Sequence, residues 1–238
     1  MTRISAPSIV QVDTFCAGVV ASRRKIVFWD TCALLDIIRF PRDYENTSLA
    51  SLVRIHQEIM NDTVYSVASE ITVTEFNDHE SHTITEVRDV IRKNSLQYNS
   101  IIQISNHFTS GNLGYVHIDT TSYNLERYLI SIVDDIISKT VFIQKDEIAP
   151  LWLDRIVNKK TPLRRKGEYK DAAIWSTCIS IADKIDASSN PENIIFFSSN
   201  KNDYYEAGTT NFSRDIQTEC SSYNIKFTID FDETSAEI

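Results

Sequence analysis

Short apolar runs alternate along the chain with stretches of helical periodicity. Four of these runs have β character, because they are rich in Ile, Val and Phe, and they cover residues 26–29, 63–67, 194–197 and 225–229. Strands with nearly continuous apolar sequence are typical of a parallel sheet whose two faces are both covered by helices. The pattern therefore predicts a helix-rich α/β fold with a mostly parallel central sheet.

Helical periodicity fills the segments between these strands. Thr31 and Ser69 are placed to cap the helices that follow the first two strands, and Pro41 marks a loop. Further helices are expected over residues 49–59, 168–184 and 215–221. The pattern stays helical from about 77 to 150 and carries a long apolar stripe over 125–137. We interpret this stripe as the core of a helical insertion, with a partner or homodimer surface as the alternative.

Acidic side chains recur where strands end and where helices begin. Asp30 and Asp203 follow two of the strands, Glu75 lies on the helix after the second strand, and Asp171 begins an apolar helix. In a parallel sheet the carboxyl ends of the strands meet at one edge, where the working site is expected. Four clustered carboxylates would repel each other unless a divalent cation lay among them, and oxygen ligands favour Mg²⁺ or Mn²⁺.

Each acid also has a purely structural interpretation. Asp30 can cap a helix N-terminus, and Asp171 can favour the positive end of its helix. Glu70 can take the place of Glu75, and Asp203 can be an ordinary loop acid. The ordered set, rather than any single acid, favours the functional interpretation.

Composition and charge limit the classes of function. Apolar residues make up 42% and charged residues 24% of the 238 residues, which suffices for a buried core and argues against disorder. With only 5 Gly and 5 Pro, a turn-dense all-β fold is not expected. The net charge of −9 argues against a protein that coats nucleic acid with a basic face, yet it is compatible with a metal site lined by carboxylates.

The cysteine pattern and the hydropathy favour a cytoplasmic protein. None of the four cysteines (Cys16, Cys32, Cys178 and Cys220) belongs to a C-x-x-C pair, so they are expected to be reduced thiols rather than zinc ligands. No apolar run reaches the length of a membrane span. Residues 1–24 are expected to form an N-terminal extension rather than a signal peptide.

Four short motifs resemble those of PIN-domain nucleases, and they occur in the order that this family has. Residues 27–32 (Val-Phe-Trp-Asp-Thr-Cys) resemble the opening motif, and residues 69–76 resemble the second motif, whose last acid is Glu75. Residues 170–175 resemble the third motif in its Lys-Asp-Ala-x-Ile-Trp form, which is found in a bacterial PIN-like subfamily. Residues 196–204 resemble the fourth motif, which ends in an acid and an aromatic residue.

This resemblance implies a single three-layer α/β/α domain with a mostly parallel sheet. Its core would span about 25–76 and 168–230, with a helical insertion at about 77–166 and the extension at 1–24. The implied activity is hydrolysis of phosphodiester bonds, in RNA or less often DNA, by water that a metal activates.

The resemblance also assigns roles to individual residues. The metal, Mg²⁺ or Mn²⁺, would be held by Asp30, Glu75, Asp171 and Asp203. The supporting residues would be Thr31, Ser198 and Asn200. Asn200 departs from the family pattern, because many members place an acid at this position.

Six basic side chains lie close to the start of the apolar helix predicted over residues 168–184: Lys159, Lys160, Arg164, Arg165, Lys166 and Lys170. Contacts to phosphates position a nucleic acid without reading its sequence. We therefore predict that this basic loop binds substrate, with a solvated charged loop as the alternative.

Other functions remain as alternatives. A catalytically silent PIN-like module that binds RNA or protein is the main one, because Asn200 replaces an acid. A haloacid-dehalogenase-type phosphatase also places an Asp after its first strand, but Cys32 stands where that chemistry needs a second acid. The pair His79 and His82 is expected on a solvated helix face. A toxin or defence effector with an inhibitor protein is compatible with the family, as is a homodimer.

Overall fold

The fold is built on one six-stranded sheet in which every pair of neighbouring strands is parallel. The computed structural model describes residues 8–20, 22, 24–43, 48–108, 124–145, 148–163, 169–186 and 194–238. Its strands are β1 (Ile9–Val10), β2 (Ile26–Trp29), β3 (Tyr65–Ser69), β4 (Val141–Ile143), β5 (Ile194–Phe197) and β6 (Ile225–Thr228). They lie in the order β1-β4-β3-β2-β5-β6. The prediction of a mostly parallel sheet is confirmed.

Helices cover both faces of this sheet. In the described ranges they are α1 (Val12–Val20), α2 (Thr31–Asp43), α3 (Leu49–Met60), α4 (Glu70–Phe108), α5 (Leu125–Lys139), α6 (Ala149–Val157), α7 (Tyr169–Asp186), α8 (Lys201–Tyr204), α9 (Arg214–Tyr223) and α10 (Phe231–Glu237). The core on one face is formed with α1, α7 and α9, and the core on the other with α2, α3, α5 and α10. This arrangement confirms the three-layer α/β/α architecture.

The two central strands are apolar at every position because alternate side chains enter opposite cores. In β2, Val27 and Trp29 join the core that contains α2, whereas Ile26 and Phe28 join the core that contains α7. All four side chains are fully buried. The neighbouring strand β5 has the same pattern, and the rings of Phe28 and Phe196 stack with their centroids 5.8 Å apart.

Strand register brings the carboxyl ends of β2, β3 and β5 to one level. Trp29 lies beside Ala68 on one side and beside Phe197 on the other. The pairing continues past the strand, because the backbone N–H of Asp30 donates to the Phe197 carbonyl at 3.0 Å. The residues that follow these three strand positions therefore meet at one edge of the sheet, which we call the carboxyl edge.

One strand lies where the sequence pattern predicts helix. β4 pairs with β3 and with β1, so that Val141 lies beside Val67 and Phe142 lies beside Ile9. The prediction of continuous helix from 77 to 150 is wrong here, because three residues are too few to produce a strand signature. The predicted N-terminal extension contributes β1 to the sheet, and α1 packs on α7. The division of the chain into core, insertion and extension stays a prediction.

The helix after β2 runs further than its sequence suggests. A loop is predicted at Pro41, but α2 includes this residue and ends at Asp43. Ile37 and Ile38, one turn earlier, are fully buried in the core. Their burial stabilises the last turn of the helix and outweighs the loss of one backbone hydrogen bond at the proline.

The apolar stripe over residues 125–137 belongs mainly to the interior. Leu129, Val133 and Ile136 of α5 are buried in the core that also contains α2 and α3, whereas Tyr128 is exposed. Within the described ranges, no helix combines the length and the apolar character needed to cross a membrane.

Candidate active site

A cavity of about 290 Å³ opens at the carboxyl edge of the sheet. Its lining includes all four acids singled out from the sequence: Asp30, Glu75, Asp171 and Asp203. They come from four separate elements, the end of β2, α4, the first turn of α7 and α8. We call this space the acid cavity.

Asp30 is the most deeply buried of these acids, with 1% of its surface exposed. Its Oδ1 accepts the backbone N–H of Thr31 at 2.7 Å. Its Oδ2 accepts the Ser198 hydroxyl at 2.5 Å and the Cys32 thiol at 3.0 Å. α2 begins at Thr31 itself, so Asp30, rather than the predicted Thr31, occupies the position before the helix, and both of its oxygens are fixed in place.

The pKa of the Asp30 carboxyl is raised from 3.8 to about 6, mainly because burial removes the hydration of the charged form. The negative charge of Glu75 contributes to this rise, while the hydrogen bonds from Cys32, Ser198 and Thr31 oppose it. Burial and the charge of Asp30 also raise the pKa of the Cys32 thiol, so this group stays protonated and acts as a donor.

The second acid, Glu75, is held by a side chain from the neighbouring helix. The Thr31 hydroxyl donates to Glu75 Oε2 at 2.6 Å and thereby links the start of α2 to α4. Thr31 is itself buried, with 3% of its surface exposed. This threonine consequently contacts both acids, through its backbone N–H to Asp30 and through its hydroxyl to Glu75.

Asp203 is connected to Asp30 through two polar side chains. The Asn200 amide donates to Asp203 Oδ2 at 2.6 Å, and the Asn200 backbone N–H donates to the Ser198 hydroxyl oxygen at 3.2 Å. Ser198 in turn donates to Asp30. The asparagine that departs from the family pattern thus orients an acid of the same cavity.

Asp171 reaches the cavity because α7 is anchored beneath the carboxyl edge. The hydroxyl of Thr177 on α7 donates to the Ser69 hydroxyl at the end of β3, at 3.3 Å. Farther from the cavity, the Trp175 indole donates to Glu219 Oε2 on α9 at 2.7 Å. Asp171 lies in the first turn of the helix, with 9% of its surface exposed.

The structure describes three of the six basic residues that were predicted to bind substrate. Lys160 forms an ion pair with Asp154 at 2.8 Å, and Lys170 forms one with Asp78 at 3.5 Å. Neither these two lysines nor Lys159 contributes to the lining of the acid cavity. Three further members lie outside the described residues: Arg164, Arg165 and Lys166. Their role in binding substrate stays a prediction.

Four residues of the acid cavity were not among the predicted site residues: Cys32, Leu35, Arg39 and His79. His79 is exposed, as expected for a solvated helix face, but it also lines the cavity. Its spacing of four residues from Glu75 places both on one side of α4, and this signal could have identified it. Arg39 lies two turns into α2, and no motif in the sequence marks it.

The donor set suits a hard divalent cation, because carboxylate oxygens face a shared space without a tetrahedral group of thiols and imidazoles. In the described part of the chain, however, no three His, Cys, Asp or Glu side chains lie close enough together to hold a metal ion. An ion would have to draw the acids closer together.

Comparisons with known proteins agree with this architecture. A family model described as PIN domain matches residues 27–204. The matched span includes Asp30, Glu75, Asp171 and Asp203, and it does not distinguish the subfamily suggested by the third motif. No curated protein and no solved structure matches the chain.

The raised pKa of Asp30 predicts that the metal-free fold loses stability as the pH rises from about 4 to about 6. Over this interval the folded state binds a proton that the unfolded state has released, so the free energy of unfolding falls with pH. Above about pH 6 the full penalty is present and amounts to about 3 kcal/mol. Denaturant unfolding in EDTA measures it, with Asp30→Asn compared with the wild type.

The stability of Asp30→Asn relative to the wild type should increase over the same pH interval. An effect of the Asn amide on hydrogen bonding that does not depend on pH leaves this change in relative stability unaltered. Asp89→Asn, at an exposed position on α4, is the control and should follow the wild type. A difference between Asp30→Asn and the wild type that stays constant with pH would contradict the assignment.

Proposed function

The chain belongs to the PIN-domain family, and on this premise we propose that it is a divalent-metal-dependent nuclease that hydrolyses phosphodiester bonds in RNA. PIN domains are generally nucleases. The observation that carries the proposal for this chain is the single cavity lined by four carboxylates at the carboxyl edge. Because all four acids line one cavity, a catalytically silent binding module is not favoured.

Mg²⁺ or Mn²⁺ is the proposed cofactor, held by Asp30, Glu75, Asp171 and Asp203. When bound, such an ion supplies an activated water and stabilises the negative charge that develops on the phosphate. The oxygen donors of the cavity and the cost of burying Asp30 without a cation both support this assignment.

The protein's own contribution is to hold the acids in fixed orientations. The Thr31 hydroxyl orients Glu75, and the Asn200 amide orients Asp203. Ser198 holds one oxygen of Asp30, and the backbone of Thr31 holds the other. Supporting hydrogen bonds of this kind commonly change metal affinity or activity by 10- to 100-fold, roughly.

Nucleic acid is the proposed partner of the site, and the cytoplasm is the proposed location because all four cysteines are free. Arg39 lines the acid cavity and is proposed to bind a phosphate of the nucleic acid, because its fork of N–H donors matches phosphate oxygens. A role as a toxin with an inhibitor protein and a homodimeric state both stay predictions.

We expect the protein to cleave labelled single-stranded RNA with Mn²⁺ or Mg²⁺ and to be inactive in EDTA. Asp30→Asn and Asp171→Asn should each lower the cleavage rate by at least about 10²-fold, because each removes a charge from the proposed metal site. Asp89→Asn is the matched control and should retain full activity. Gel analysis of the products, with single-stranded DNA of the same sequence in parallel, measures the rate and the preference.

Metal-dependent cleavage that persists in both acid variants would place the activity outside the acid cavity. Preferential cleavage of DNA would keep the nuclease assignment and overturn its RNA specificity. Intact RNA and DNA with every metal, across structured and unstructured substrates, would overturn the assignment itself.

A second expectation concerns Thr31, which acts as a positioning residue through Glu75. Thr31→Ala should lower activity by roughly 10- to 100-fold and raise the Mn²⁺ concentration needed for half-maximal activity. Thr31→Ser keeps the hydroxyl and should restore both quantities. A serine variant as impaired as the alanine variant would attribute the loss to packing of the methyl group.

A further inference from the structure

A second and larger cavity, of about 660 Å³, adjoins the acid cavity. The two cavities share Cys32, Arg39 and Asn200 in their linings. The larger one extends along the carboxyl edge towards β6, where Asp230 and Phe231 contribute to its wall. We call it the side cavity.

Charge makes the side cavity suitable for phosphate. Its wall contains three cationic side chains, Arg39, Arg42 and Lys201, against two acidic ones, Asp36 and Asp230. Positive charge prevails here although the whole chain has a net charge of −9. A local cationic surface of this kind attracts the backbone of a nucleic acid independently of the total charge.

Arg39 is held at the junction of the two cavities. Its Nη1 donates to Asp36 Oδ1 at 3.2 Å, within the same helix. The Arg39 side chain is 24% exposed and lines both cavities. Its planar fork of N–H donors matches phosphate oxygens.

The remaining wall of the side cavity suits a base. Phe40 is the partly exposed aromatic side chain of this wall, whereas Phe197 and Phe231 belong to the core, with 0% and 3% of their surfaces exposed. The volume of the side cavity falls within the roughly 300–1,000 Å³ that is usual for small-molecule sites. An unpaired base can enter such a recess and pack against Phe40, whereas a base stacked inside a duplex cannot.

We infer that the side cavity binds one unpaired nucleotide of the substrate, adjacent to the phosphate that occupies the acid cavity. Arg39 contacts the backbone where the two cavities meet, and Arg42 and Lys201 contact phosphate on the far side of the nucleotide. The inference rests on the proposed function and adds that the substrate is single-stranded at this position.

The test is binding of a fluorescent single-stranded oligonucleotide, followed by anisotropy in EDTA so that no cleavage occurs. The double variant Arg42→Gln/Lys201→Gln removes two cations that line only the side cavity. The matched control, Arg92→Gln/Lys93→Gln, removes two exposed cations on α4. Lys93 lies 18 residues beyond Glu75, which is roughly 27 Å along the helix.

The side-cavity variant should bind the single strand roughly tenfold more weakly than the wild type at low salt. Loss of two phosphate contacts should also make the slope of log affinity against log salt shallower by about 1.4, at about 0.7 per contact on a single strand. The control double variant should match the wild type in both quantities. A blunt duplex of the same sequence should bind more weakly than the single strand to every protein.

A second arm places one abasic site at successive positions of the oligonucleotide. Affinity should fall at a single position, and this loss should be smaller in the variant Phe40→Ala, which removes an aromatic ring from the wall. Equal losses in the two double variants, uniform tolerance of abasic sites, or preference for the duplex would overturn the inference. Binding is measured without metal, so it is independent of the cleavage assay with Mn²⁺ or Mg²⁺. Position-specific binding here, together with no cleavage in that assay, would reject the nuclease and support the side cavity as a nucleotide site.

Discussion

Parallel pairing of β2, β3 and β5 in one register determines where the chain segments that carry Asp30, Glu75 and Asp203 leave the sheet. Trp29 pairs level with Ala68 and Phe197, so Asp30, Ser69 and Ser198 occupy equivalent places, with Ser69 as the last residue of β3 and the other two just beyond their strands. From these places the chain continues into α2, α4 and the loop before α8. A shift of one residue in any of these pairings would turn the apolar side chains to the wrong core and separate the acids.

The site also illustrates a conflict between stability and function. Asp30 is buried next to Glu75, and both burial and the neighbouring charge disfavour its ionised form. Its hydrogen bonds from Ser198, Cys32 and Thr31 offset only part of this cost, as the raised pKa indicates. A cation that bound among the acids would remove the repulsion, and metal binding would then stabilise the fold.

Much of the framework could be predicted from the sequence because the decisive patterns are local. The apolar runs at β2 and β5 identify the central strands, and the family assignment is confirmed by the match over residues 27–204. Asp30 and Asp203 could be placed at the carboxyl edge because each follows an apolar strand. That they share a cavity with Asp171 depends on long-range packing, which the sequence does not specify.

The features that sequence reasoning missed are those with little local signal. β4 contains only three residues, and its identity as a strand depends on the neighbours that it pairs with. Arg39 and Lys201 come from distant parts of the chain and meet at the side cavity through tertiary packing. The predicted loop at Pro41 failed for a related reason, since core burial of the same helix outweighs a local rule.

Thermal unfolding with and without Mn²⁺ tests most directly whether the four acids form a metal site. If they do, the wild-type protein should unfold at a higher temperature with Mn²⁺ than in EDTA. At a Mn²⁺ concentration 100 times the dissociation constant, the free energy of unfolding should rise by about 2.7 kcal/mol. Asp171→Asn should largely lose this response, while Asp89→Asn should keep it. A wild-type protein that does not respond to Mn²⁺, or an Asp171→Asn variant that responds as strongly as the wild type, would contradict the account.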